Sequence, residues 1–98
     1  MLTATFPGRD EVARQVAVAR ARLIDVDGSL KLSVGEAPPA PVVQRVPVEA
    51  EAEDIDGVTV HVLLHVIDGY IDELEIFRDD SAPLRGTIRP EALSIIVL

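Results

Sequence analysis

The residues best able to do chemistry are two histidines, His61 and His65, set among five glutamates, Glu49, Glu51, Glu53, Glu73 and Glu75. All seven occur at alternate positions within three short stretches, and that is the spacing of one face of a sheet. Pairing the stretches by their turns places His61 between Glu51 and Glu75, and Leu63 between Glu49 and Glu73. Directly opposed side chains have Cβ atoms about 5 Å apart, so either carboxylate could reach the imidazole. Glu51, His61 and Glu75 are therefore the candidate cluster for a divalent cation, or for a carboxylate–histidine proton-transfer pair. His61 and His65 lie four residues apart on one strand, about 13 Å, too far to share an ion. In the plainer reading, His61 relieves repulsion among glutamates on a solvated face. That plainer reading is preferred, so no catalytic, metal-binding or cofactor-binding residue and no cofactor is assigned.

The elements that hold these residues follow from two Asp-Gly turns. Ile55-Asp56-Gly57 reads as a three-residue hairpin loop ending in a glycine bulge. Asp54 then faces Val58, Ala52 faces Val60, Ala50 faces Val62, Val48 faces Leu64 and Val46 faces Val66. The same loop at Ile67-Asp68-Gly69 sets Val66 against Tyr70, Leu64 against Asp72, Val62 against Leu74 and Val60 against Ile76. A two-residue Asp-Gly loop would instead oppose Val62 and Leu64 to Glu75 and Glu73, so the three-residue loop is expected. One face is then apolar, with Tyr70 on it, and packs on a helix. The other carries the glutamates and histidines with Thr59, Leu63, Ile71 and Phe77.

Before this meander, Phe6-Pro7-Gly8 with Arg9-Asp10-Glu11 marks a helix start, acidic in its first turn. A helix over about Gly8 to Arg20 buries the stripe Val12, Val16, Ala19 and Leu23. Leu30, Leu32 and Val34 alternate as a strand. Val26-Asp27-Gly28 would fold it back on Leu23–Asp25, a segment open to either strand or helix end. Gly35–Pro41, with three prolines, is an extended connector. Arg78-Asp79-Asp80-Ser81 ends the last meander strand. Leu84–Arg89 is short strand or irregular, Arg89-Pro90-Glu91 a turn, and Ser94–Leu98 a final strand or a dimer contact. The expected fold is one α+β domain over residues 1–98, an N-terminal helix packed on a four- to five-stranded antiparallel meander sheet.

Composition narrows the function classes. The 98 residues include no cysteine and only 3% aromatics, so the core is aliphatic and thiol chemistry is excluded. The net charge is −8, and residues 46–98 carry three basic against twelve acidic side chains, or −9. Such a surface repels phosphate backbones and anionic lipid, so neither nucleic acid nor membrane is an expected partner, whereas a basic protein is. The N-terminus lacks the pattern of a signal peptide, and no apolar run reaches the length of a membrane span, so a soluble cytoplasmic protein is expected, monomer or homodimer. Dinucleotide, P-loop, zinc-protease, EF-hand and hydrolase motifs are all absent.

Val58–Arg78 resembles small uncharacterised bacterial proteins in its apolar strand, Asp-Gly turn and Asp-Glu-Leu-Glu-Ile strand. Phe6-Pro7-Gly8, Asp27-Gly28-Ser29-Leu30 and Val46-Pro47-Val48-Glu49-Ala50 are similar to actinobacterial members. The resemblance implies a small α+β domain and brings no catalytic residues with it. By analogy with small acidic toxin-neutralising proteins it is compatible with an immunity-like role. The expected function is a non-enzymatic protein-interaction module that presents Glu49, Glu51, Glu53, Glu73 and Glu75. The alternative is a metal-binding or acid–base enzyme centred on His61 with Glu51 and Glu75.

Overall fold

The computed structural model describes residues 6–42, 45–46, 48–86 and 93–97. Helix α1 (Arg9–Val18) runs directly into β1 (Ala19–Leu23), followed by β2 (Leu30–Val34), β3 (Val48–Glu53), β4 (Thr59–Ile67), β5 (Tyr70–Arg78) and β6 (Ser94–Val97). The strands form one antiparallel sheet in the order β1-β2-β5-β4-β3-β6. This is the expected α+β arrangement, with six strands. The meander is confined to β3-β4-β5, because β2 pairs with β5 and not with β3. The proline connector must therefore cross three strand spacings, about 14 Å, and an extended chain suits that crossing. The expected turn at Arg89-Pro90-Glu91 and the end of the chain at Leu98 lie outside the described residues.

The helix gives way to strand two residues before Arg20. From Ala19 the chain reads Ala-Arg-Ala-Arg-Leu, a period of two, and pairs with β2 from Ala19↔Val34 to Leu23↔Leu30. Of the segment Leu23–Asp25, left open between strand and helix end, only Leu23 is strand, the last residue of one that begins at Ala19, and Ile24–Ser29 is its turn. There Asp25 Oδ1 accepts the amides of Asp27 and Ser29 at 2.9 and 3.1 Å, an Asx-type closure.

The first meander hairpin has the derived register. Asp54 N donates to Val58 O, Gly57 N donates to Asp54 O, and Gly57 has φ 85°. From Val48↔Leu64 to Ala52↔Val60 every inner-face pair is apolar.

The second hairpin departs from expectation. Ile67 faces Tyr70 across a two-residue Asp68-Gly69 turn with φ of 52° and 84°, the left-handed pair of a type I′ turn. Continued without interruption, that turn would put Glu73 and Glu75 on the core face. It is interrupted, because Val66 faces Ile71 while His65 faces Glu73, leaving Asp72 as the extra residue of a β-bulge. The bulge restores the parity that burial demands, so the faces survive although the register lies two residues from the derived one. Val62 faces Ile76 and Leu64 faces Leu74. Ile71 is consequently buried on the inner face, and Tyr70 belongs to the outer one, the reverse of their expected sides.

The helix covers one end of the inner face, where Phe6, Val12, Ala40, Val48, Leu64, Val66 and Ile71 form the core. Val12 is buried as expected, but Val16 is 47% and Leu23 65% exposed. The second fully buried helix residue is Gln15. Its Nε2 donates to Gly69 O at 2.7 Å and Pro38 O at 3.0 Å, and its Oε1 accepts Ile71 N at 2.9 Å. One amide thereby ties the helix, the proline connector and the bulged turn together. Gly69 is doubly constrained: beyond its positive φ, a Cβ there would lie 2.8 Å from Pro39 Cβ and 3.0 Å from Ala40 O.

Replacing Gln15 by Leu should destabilise the fold by about 1–3 kcal/mol, because Ile71 N–H would be buried without a partner. Gln15→Glu should cost more, since a carboxylate would face two carbonyl oxygens. Urea unfolding checks both, and a Leu variant as stable as the wild type would remove Gln15 from this role.

Candidate functional site

The outer face takes its side chains from alternate positions of the strands. β3 supplies Glu49, Glu51 and Glu53; β4 supplies Thr59, His61, Leu63 and His65; β5 supplies Glu73, Glu75 and Phe77. Beyond them β2 adds Lys31 and Ser33, and β1 adds Arg20 and Arg22. All five expected glutamates are present on this face, because a shift of two residues preserves parity. Among the described residues, no helix or strand packs over it.

The expected trio does not assemble. Glu51 faces His61 as derived, with Oε1 3.8 Å from Nδ1. Across the other boundary His61 faces Phe77, whose ring it stacks on at 5.0 Å between centroids. Its Nε2 pairs with Asp79 Oδ1 at 2.8 Å. Glu75 is opposite Leu63, one pair further along, and its Oε1 pairs with His65 Nε2 at 2.8 Å. The turn and the bulge together are the physical reason, since the two-residue turn and the extra residue Asp72 each slide β5 by one residue against β4, two in all.

The face therefore holds two carboxylate–imidazole units where one was expected. In the second, Arg45 Nε donates to His65 Nδ1 at 3.3 Å, so Nδ1 is the acceptor and Nε2 carries the proton given to Glu75. Glu73 lies directly opposite His65, and one ligand atom from each of His65, Glu73 and Glu75 falls within 4.8 Å of the others. Asp79 escaped the sequence reading because it follows the strand, in a run that otherwise signals only an ending.

A second charged group was missed entirely. Arg78 sits opposite Val60 on the inner face, with its side chain 1% exposed. Its Nε and Nη2 grip Asp80 at 2.9 and 2.7 Å, and its Nη1 reaches Asp54 at 2.8 Å and Asp56 at 3.1 Å. The Asp54 carboxylate also accepts the amides of Ile55, Arg85 and Gly86, each at 2.8 Å. Alternation predicts an inward side chain at Arg78, but nothing in the pattern shows that three aspartates from two loops converge on it. These bonds saturate the guanidinium, so the group is a latch that fastens residues 80–86 to the sheet, with no open valence for a ligand.

The inner face also bears an open groove of about 410 Å³ beside the helix, lined by aliphatic side chains including Val16, Ala21, Leu32 and Leu74. It presents no titratable group to a reactant. No described helix is long and apolar enough to cross a membrane.

A family model described as "Domain of unknown function (DUF6984)" matches residues 2–88, so the chain belongs to that family. No curated protein and no solved structure matches the chain.

The latch fixes an acid limit. Asp54 is lowered from 3.8 to about 2, first by the Arg85 amide, against the opposing effect of burial, and further by the Ile55 amide, Arg78 and the Gly86 amide. A depressed carboxyl contributes stability that is complete above 3.8 and is lost as pH falls from there through about 2. Asp80, held by Arg78, is displaced in the same direction. Urea unfolding between pH 2 and 7 should show stability falling below pH 4. Asp54→Asn should be less stable at neutral pH and flatter across that window. An unchanged slope would exclude Asp54 as its source.

Proposed function

We propose that this chain, a member of the DUF6984 family, is a non-enzymatic interaction module whose outer sheet face binds a basic protein. The observation that carries this reading is the alignment of Glu49, Glu51, Glu53, Glu73 and Glu75 on one face that no described element covers. Leu63, flanked by Glu49 and Glu75, and the Phe77 ring stacked on His61 supply apolar area within the acidic field. Such a pattern of central apolar anchors with a charged surround suits protein recognition. Complementary charge would add association rate and orientation.

An immunity-type role, with the acidic face set against a cationic toxin surface, is one specific form of this reading. A cytosolic setting suits the cysteine-free composition. An enzyme built on His61 draws less support: its partners among the described residues are a stacked ring and two carboxylates on an open sheet face, with no described hydroxyl bonded to it.

The test is to capture a partner from the native cytosol and then titrate the purified pair. Combined Glu49→Lys, Glu51→Lys and Glu53→Lys substitutions should weaken binding by about 10-fold or more, and affinity should fall steeply with salt. Binding indifferent both to this reversal and to about 0.5 M salt would reject the outer face as the interface.

A further inference from the structure

We propose that His65, Glu73 and Glu75 form a binding site for a first-row divalent transition ion. The site is a product of the bulge. An uninterrupted two-residue turn would send Glu73 and Glu75 to the core face, whereas the extra residue Asp72 brings Glu73 opposite His65 and sets Glu75 two positions along the same face. One ring nitrogen of His65 and one oxygen of each glutamate then lie within 4.8 Å of one another, and it is Nε2 that faces Glu75 Oε1, at 2.8 Å. Ligand atoms about 2.1 Å from a common ion stand about 3 to 4 Å apart, so small glutamate rotations close the set.

Charge and neighbours agree with this assignment. Two carboxylates and a neutral imidazole offer −2 to a dication. Lys31 is paired with Glu73 across the strands, but its Nζ is held by the bulge residue Asp72 at 2.7 Å, which draws the ammonium to a different carboxylate. The donor set selects the ion class. An imidazole with two carboxylates suits Zn²⁺, Co²⁺ or Mn²⁺, whereas Ca²⁺ and Mg²⁺ favour all-oxygen sets. Water would complete the coordination on the open side.

The His65 ring currently directs a proton, not a lone pair, at Glu75. Binding at Nε2 requires that proton to leave to water while Nδ1 gains one, so the ring stays neutral and Nδ1 becomes a donor. Nδ1 can then no longer accept from Arg45 Nε, and the 3.3 Å bond is released. Arg45 is therefore a competitor for the ion, both as a hydrogen-bond donor and as a cation.

Calorimetric titration of the full chain with Zn²⁺ alone tests the site, with Co²⁺ absorption as a second readout. It involves no protein partner, so its outcome is separate from that of the interface proposed above. One saturable equivalent is expected. His65→Ala and Glu75→Gln should each weaken it about tenfold or more, His61→Ala should leave it unchanged, and Arg45→Ala should tighten it severalfold. No saturation by about 1 mM Zn²⁺, or binding that depends on His61 and not His65, would overturn the site. Weaker binding in Arg45→Ala would overturn the competitor role. Should a substitution disturb the fold, imidazole nitrogen resonances of the wild type decide: Zn²⁺ must shift those of His65, and a shift confined to His61 rejects the proposal.

Discussion

The amide of Gln15 holds the point on which both faces of the sheet depend. It accepts from Ile71 N and donates to Gly69 O, the two residues that flank Tyr70 where the type I′ turn passes into the bulge. A tight Asp-Gly turn alone would force the wrong parity on β5, because side chains alternate with a period of two. The bulge corrects the parity but interrupts the ladder, and beside it Ile71 N–H points away from β4 and donates to Gln15 Oε1. A buried amide group without a partner is costly. The helix supplies that partner from its core-facing side, so a polar residue occupies a place where the apolar period would favour Val or Leu. The residues that appear to break the helix pattern and the hairpin pattern are thus two halves of one solution.

This explains which parts were legible in the sequence. The β3–β4 hairpin was readable to the residue because its loop, its glycine and its apolar pairs all agree on one register. For β4–β5, burial gave the faces correctly from Glu73 onward, though not at Tyr70 and Ile71, and it could not fix the pairing, since registers two residues apart have the same parity. The short turn with its bulge is met by a hydrogen bond that Ile71 N–H donates to Gln15, 56 residues away, and strand alternation carries no sign of it. The helix stripe failed for the same reason. Val16 fits the spacing yet remains exposed, while Gln15 is buried for its bonding capacity and not its hydrophobicity. The early start of β1 was missed by a reading that ran the helix to Arg20, although Ala-Arg-Ala-Arg-Leu carries a period of two that overrides the good helix propensities of alanine and arginine.

Charge in this chain serves two different purposes, and burial separates them. Asp54, Asp56 and Asp80 contribute three of the twelve acidic side chains in residues 46–98, yet they close on Arg78 and bind backbone amides of the segments they anchor. A buried ion cluster of this kind is kept for the geometry it imposes, with desolvation offsetting much of the attraction. The outer-face glutamates do the opposite. They stand in two rows on either side of β4, at alternate positions along β3 and β5, where like charges repel unless something intervenes. His61 with Glu51 and His65 with Glu75 temper that repulsion locally.

The outer face is also asymmetric, and this bears on orientation. Arg20, Arg22 and Lys31 occupy the β1–β2 side, while the glutamates occupy β3 and β5. A uniformly basic surface laid over the whole sheet would meet repulsion at one side and attraction at the other, so the favourable footprint is confined to β3–β5. Arg20 and Arg22 act on the edge as well. Two copies paired antiparallel along β1 and centred on Ala21 would oppose Arg20 to Arg22, which disfavours sheet extension by like-charge contact. The alternation that makes β1 a strand therefore protects its open edge and also marks the boundary of the acidic field.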